Sequence, residues 1–166
     1  VPIMWKTGHS FIKAKRAEEN AALGGEKSGH VFFGPPEYYG FDDASFTALK
    51  LLEYLSNQQK SFSEIISETP FYAISPTIHA PCPDEVKYQV LSDLVEEFKR
   101  DFNNVIDIDG AKVIFDDGWG LVRASSNLPV LVLRFEAKSE ARLQEIQNIF
   151  RERLSKFPEI SQEWRN

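Results

Sequence analysis

The sequence predicts two small domains in series, a partial α/β domain over residues 1–72 followed by an α+β domain over residues 73–166. Three observations predict it. Thr69, Pro70, Pro76, Pro81 and Pro83 punctuate one stretch, and proline disfavours continuous helix, so the boundary falls there. Before that stretch, helix-like segments alternate with short strand-like runs around a glycine-rich turn, as in an α/β domain with a mixed sheet and some strands missing. After it, the order is helix, three or four antiparallel strands, helix, which suggests an antiparallel sheet layered with two helices.

Taken in order, residues 9–20 read as a helix with Lys and Arg on its exposed face, and 21–26 and 30–33 as two short strands about a glycine turn. Ala44, Ala48, Leu51, Leu52 and Leu55 recur at helical spacing within 42–58. Asp42 and Asp43 suit the positive N-terminal end of that helix. Ser61 and Glu64 stand at capping-box spacing before a short helix. Residues 71–80 have extended character and lead into a strand, and Asp84 is placed to cap the next helix. That helix carries one apolar stripe of Leu91, Leu94, Val95, Phe98 and Phe102. Strands are expected near 104–108, 111–116 and 119–124, separated by Asp-Gly turns, and at 130–136. Ser139 caps a closing helix whose inward face is Leu143, Ile146, Phe150 and Leu154.

The chain has 166 residues, a net charge of −6 and 13 Phe, 5 Tyr and 3 Trp, enough aromatic bulk to build real cores. The acidic balance argues against a general nucleic-acid or membrane surface. No apolar run approaches the length of a membrane span. A lone cysteine, Cys82, makes neither an internal disulfide nor a zinc cage and points to a reducing, cytoplasmic setting. Val1-Pro2-Ile3-Met4-Trp5 reads as the inside of a strand, so the chain is expected to begin within a larger protein.

Two polar loops carry chemistry. In Gly118-Trp119-Gly120-Leu121-Val122-Arg123-Ala124-Ser125-Ser126-Asn127-Leu128-Pro129, a strand delivers Arg123 to its end and a Ser-Ser-Asn loop follows. A phosphate monoester needs many donors; an Arg fork grips two oxygens, and hydroxyls, an amide and loop N–H groups supply the rest. A surface hairpin with one solvated Arg has the same spacing. In Gly24-Gly25-Glu26-Lys27-Ser28-Gly29-His30, glycines let backbone approach a ligand closely, and Glu26 and Ser28 suit neighbouring sugar hydroxyls. His30 can move a proton near neutral pH. The alternative there is a glycine-rich turn with solvated side chains.

Both loops resemble motifs of the α-D-phosphohexomutase superfamily, in its bacterial phosphomannomutase/phosphoglucomutase branch. The first resembles the phosphate loop Arg-Ala-Ser-Asn-Thr-x-Pro. Arg123 and Ser125 match directly, whereas Ser126 stands where Asn is usual and Asn127 where Thr is usual. The continuation Leu131-Val132-Leu133-Arg134-Phe135-Glu136-Ala137 resembles the same branch, as does Trp5-Lys6-Thr7-Gly8-His9-Ser10. Glu26, Ser28, Gly29 and His30 match the sugar loop Gly-Glu-Met/Lys-Ser-Gly-His.

The resemblance spans essentially the whole chain and implies the end of domain 3 followed by a TBP-like domain 4 of a four-domain enzyme. It implies that Glu26 and Ser28 hold the sugar's O3 and O4 hydroxyls, that Lys6 and His9 contact substrate, and that His30 is a candidate general acid/base beside His9. Arg123, Ser125, Ser126 and Asn127 would bind phosphate. The implied ligand is a mannose or glucose 1- or 6-phosphate, and the implied partners are domains 1 and 2 of the same protein.

The superfamily's phosphoserine loop and its Asp-Gly-Asp-x-Asp-Arg magnesium loop are absent from these residues. Mg2+ would therefore be held elsewhere in the parent enzyme. Asp107, Asp109, Asp116 and Asp117 look like metal ligands, but their setting is turn chemistry, and no metal site is expected among them. The expected function is interconversion of hexose 1- and 6-phosphates by the parent protein, with this chain inactive alone. A stand-alone, non-catalytic phosphosugar-binding module is the alternative. His79, in the proline-rich stretch, reads as structural or solvated.

Overall fold

The computed structural model describes residues 1–165 and divides into two units, Val1–Pro70 and a second beginning at Phe71.

In the first unit, Gly8 precedes α1 (His9–Glu18) with φ of 127°, a region that favours glycine. The chain leaves α1 through an antiparallel ribbon, β1 (Leu23–Gly25) and β2 (Val31–Phe33), which pairs Gly24 with Phe32. Where a mixed sheet is expected, the described residues of this unit hold this antiparallel pair. Phe32 is fully buried, and Arg16 Nη1 donates to the Ala21 carbonyl at 3.1 Å. Gly34 and Gly40 make room for that guanidinium, since a Cβ would come within 2.2 and 2.6 Å of its nitrogens.

α2 (Ala44–Ser56) is capped by Asp43, whose Oδ1 accepts the Phe46 N–H at 2.9 Å. α3 (Phe62–Ser67) starts with the expected capping box of Ser61 and Glu64. The apolar stripe of α2 is not covered within this unit. Ala44, Ala48, Leu51 and Leu52 are exposed, and Leu55 alone of the stripe is half-buried.

The second unit starts with β3 (Ala73–Ile74) and β4 (Ile78–Pro81), followed by α4 (Lys87–Asp101). Then come β5 (Val105–Ile106), β6 (Ala111–Phe115), β7 (Gly118–Ala124), β8 (Val130–Ala137) and α5 (Glu140–Leu154). The described strands form an antiparallel sheet in the order β3-β8-β7-β6-β5, with β4 also on β8. β3 and β4 thus share one edge of β8, with Ala73 opposite Ala137 and Ile78 opposite Leu133. Ser75 bridges their break: its Oγ accepts the Phe135 N–H, and its own N–H donates to the Phe135 carbonyl, both at 3.0 Å. Beyond β4, His79 and Arg165 exchange both backbone hydrogen bonds.

Strand alternation sends Val122, Leu131, Leu133 and Phe135 to the face covered by α4 and α5, where they meet Leu94, Phe98, Ile146, Phe150 and Leu154. The inward stripes read from the sequence for both helices lie against this core. Gly118 and Gly120 face α5: a Cβ on Gly120 would stand 2.4 Å from the Phe150 ring, and one on Gly118 would stand 2.8 Å from Ile146. The same alternation sends Arg123 to the opposite face, opposite Val132 on β8.

Two local expectations are corrected. Asp84 is not the cap of α4; that position is Val86, without a side-chain cap bond, and Asp84 instead accepts from Lys87 Nζ at 2.5 Å. The β6–β7 loop is Asp116-Asp117, and Gly118 already lies in β7 for the packing reason above. The Asp109-Gly110 turn is as expected, with Gly110 at φ of 90° and no space for a Cβ beside the Val122 carbonyl.

Candidate substrate-recognition loops

In the first unit, the β1–β2 turn places Glu26, Ser28 and His30. Its backbone closes through Glu26 N–H to the His30 carbonyl at 2.9 Å and Gly29 N–H to the Glu26 carbonyl at 3.0 Å, with Gly29 at φ of 93°. The two Glu26 oxygens differ. Oε2 accepts the Gly8 N–H at 2.9 Å, which ties the turn to the start of α1. Oε1 is buried and has no hydrogen-bond partner among the described residues. A buried carboxylate oxygen without a donor is costly.

His30 Nδ1 lies 2.6 Å from Asp42 Oδ2, and the His9 ring, at the first position of α1, is centred 6.1 Å from the His30 ring. The hydrogen bond from His30 holds the Asp42 carboxyl below its ordinary range. With Nδ1–H directed at the carboxylate, Nε2 is the nitrogen left with a lone pair. Ser28 and Lys6 are exposed. Asp42 was expected only to favour the α2 N-terminus. Asp43 does that work, further fixed by the Tyr38 hydroxyl donating to its Oδ2 at 2.5 Å. No sequence spacing signals the pairing of Asp42 with His30, because the β2–α2 connection brings them together.

In the second unit, β7 ends at Ala124 and the loop 125–129 returns to β8. Arg123 lies at the end of β7, with Nη1 4.0 Å from Asp109 Oδ2 and 3.3 Å from the Ala124 carbonyl. Ser125 is buried, and its Oγ accepts the N–H groups of Asn127 and Leu128 at 3.3 and 3.2 Å. Accepting twice leaves the hydroxyl hydrogen available to donate. Ser126 and Asn127 stand exposed at the apex, linked by Ser126 Oγ to Asn127 Oδ1 at 3.2 Å.

Beneath the loop is a residue the sequence reading missed. Lys87 Nζ donates to Asp84 Oδ1, the Ser125 carbonyl and the Leu128 carbonyl at 2.5, 2.6 and 3.0 Å. A signal existed: a lysine in the first turn of a helix opposes the helix dipole and asks for a reason.

Three of the four turn carboxylates face cations: Asp107 pairs with Lys99 at 2.6 Å, Asp117 with Arg142 at 2.9 Å, and Asp109 lies 4.0 Å from Arg123. No group of three His, Cys, Asp or Glu fit to hold a metal occurs among the described residues. His79 is tied into the sheet edge by its backbone. No described helix is long and apolar enough to cross a membrane.

Residues 1–72 match the family description "Phosphoglucomutase/phosphomannomutase, alpha/beta/alpha domain III", and residues 78–153 match "Phosphoglucomutase/phosphomannomutase, C-terminal domain". The chain belongs to the phosphoglucomutase/phosphomannomutase family. Among its relatives, the phosphomannomutase/phosphoglucomutase of Pseudomonas aeruginosa is 43% identical over 153 residues, covering 92% of this chain and 33% of that protein. The phosphoglucomutase of Neisseria gonorrhoeae is 40% identical over 162 residues, covering 95% of this chain and 34% of that protein. A crystal structure of a phosphoglucomutase/phosphomannomutase family protein from Burkholderia thailandensis matches with a TM-score of 0.84 at 42% identity, over 96% of this chain and 34% of that one. The chain spans about a third of the length of these phosphoglucomutase/phosphomannomutase relatives.

Proposed function

We propose that this chain supplies the sugar-hydroxyl and phosphate recognition of a phosphomannomutase/phosphoglucomutase that interconverts hexose 1-phosphates and hexose 6-phosphates. The observation that carries the reading is Glu26: one carboxylate oxygen is fixed by the Gly8 N–H, and the other is buried without a donor. A sugar hydroxyl is the donor that fits it, with Ser28 beside it on the same turn. The Arg123 loop binds the phosphate that is not reacting, through the guanidinium, the Ser125 hydroxyl and the polar apex of Ser126 and Asn127. Remote binding energy then positions the reacting end of the sugar.

In the reaction, a phosphoserine outside this chain gives its phosphoryl group to a free sugar hydroxyl, forming a bisphosphorylated sugar. That sugar reorients and returns its other phosphate to the serine. The hydroxyl proton must leave as its oxygen takes the phosphoryl group. His30 accepts it on Nε2, with Asp42 holding the ring through Nδ1. His9 and Lys6 contribute further substrate contacts from the start of α1. Magnesium and the phosphoserine would belong to other parts of a longer protein, so this chain alone is inactive as a mutase.

The test is titration of the chain with glucose 1-phosphate and, separately, with inorganic phosphate. Arg123→Ala should weaken both by about tenfold or more, the worth of a charge-assisted contact. Glu26→Gln should weaken only the sugar phosphate. Equal affinity of Glu26→Gln and the unaltered chain for glucose 1-phosphate would refute the sugar role, and turnover by the chain alone would refute its dependence on other domains.

A further inference from the structure

We propose that Lys87 is a positioning residue for phosphate recognition, an assignment that rests on reading Arg123–Leu128 as the phosphate loop. Its side chain is only 4% exposed, and each of its three N–H donors has its own acceptor: Asp84 Oδ1, the Ser125 carbonyl and the Leu128 carbonyl. The two carbonyls belong to the first and last residues of the turn 125–128. Holding both from below turns them away from the ligand side, where a carbonyl oxygen would repel an anion. It also fixes the turn in which Ser125 Oγ accepts from Asn127 and Leu128, so that the Ser125 hydroxyl keeps a hydrogen to donate.

Two separate costs argue that the arrangement is more than packing. A buried ammonium loses its hydration, and an apolar side chain of similar length would fill the same core edge without that loss. A cation in the first turn of α4 also opposes the helix dipole. Both costs are accepted where a cation is needed: under a loop that meets an anion, with Asp84, 61% exposed on its side chain, balancing it from the outer side. Lys87 touches no ligand in this reading. It acts through the loop it holds.

The experiment is an NMR titration of the isotope-labelled chain with inorganic phosphate, following the amides of Arg123 to Leu128. The unaltered chain should show saturable shifts there. Lys87→Met should need about tenfold more phosphate, as expected when a binding group is displaced by a fraction of an ångström. Lys87→Arg should recover part of that loss. A residue that only supports the fold would lower stability in Lys87→Met and leave the phosphate affinity unchanged, and that result overturns the proposal. Silence of the unaltered chain would instead remove the phosphate loop itself, and Lys87's role with it. Should both variants fail to fold, the Lys87 ammonium signal of the unaltered chain decides the matter. It should move with the loop amides as phosphate is added, and a fixed ammonium signal beneath a responding loop would overturn the inference.

Discussion

Gly120→Ala tests whether the glycines before Arg123 are there for packing. The added methyl would stand 2.4, 2.7 and 3.0 Å from three carbons of the Phe150 ring. Ordinary carbon contacts are about 3.5–4.0 Å, so the ring must retreat by roughly 1 Å. It has nowhere to go, being fully buried with Phe98 centred 4.6 Å away and Phe135 5.1 Å away. Overpacking of this kind costs about 1–3 kcal/mol, against a backbone gain of about 0.5–1 kcal/mol for alanine over glycine. A net loss of about 1 kcal/mol is expected, which in a unit of this size lowers the melting temperature by roughly 4–8 °C. The assay is hydrogen exchange of the slowest β7 and β8 amides, which report opening of this unit alone. Phe150→Leu should cost stability by itself, yet make the alanine more tolerable, so the double variant should be more stable than the sum of the two losses predicts. Unchanged exchange in Gly120→Ala, or strict additivity in the double variant, would refute the reasoning.

Two further outcomes are expected. The Asp42 carboxyl, followed by carbon NMR, should titrate below its ordinary value because His30 is bonded to it, and His30→Ala should bring it back up; the pair's contribution is present above the ordinary aspartate value and lost as pH falls through the depressed one. Glu97 is similarly held: burial raises its pKa, but the bonds from Lys156 and Arg153 outweigh this and lower it, while Arg153 also lowers Asp101. Arg153→Met should therefore cost about 1–3 kcal/mol at neutral pH, and less as acid neutralises the two carboxylates, as read by urea unfolding at several pH values.

Much of the second unit was legible because periodicity and burial coincide there. The α4 stripe from Leu91 to Phe102 and the α5 face from Leu143 to Leu154 lie on the core as read. The misses were positions where one residue serves a distant one. Gly118 reads as a turn glycine until Ile146 is seen above it, and strand periodicity alone does not show that Gly120 faces Phe150. The partners of Lys87 lie in the turn from Ser125 to Leu128, 38 to 41 residues away, which no local spacing could reveal. Asp42 resembles its neighbour Asp43 in sequence, and only the course of the chain assigns one to His30 and the other to α2. In the first unit, helical spacing found α2 but said nothing of what would cover it, because periodicity marks a face and not its partner.

Ser75 has a wider meaning for the sheet. A strand that breaks and resumes normally leaves its neighbour with an idle amide at the gap, an invitation to water or to a slipped alignment. Here a side-chain oxygen answers the Phe135 amide while the same residue's main chain answers the Phe135 carbonyl. Phe135 of β8 thus keeps both backbone bonds on this side although β3 ends and β4 begins there. The hydroxyl acts as a splice: it carries the edge of β8 across the break at residues 75–77, on the side away from the β7 ladder that holds Arg123.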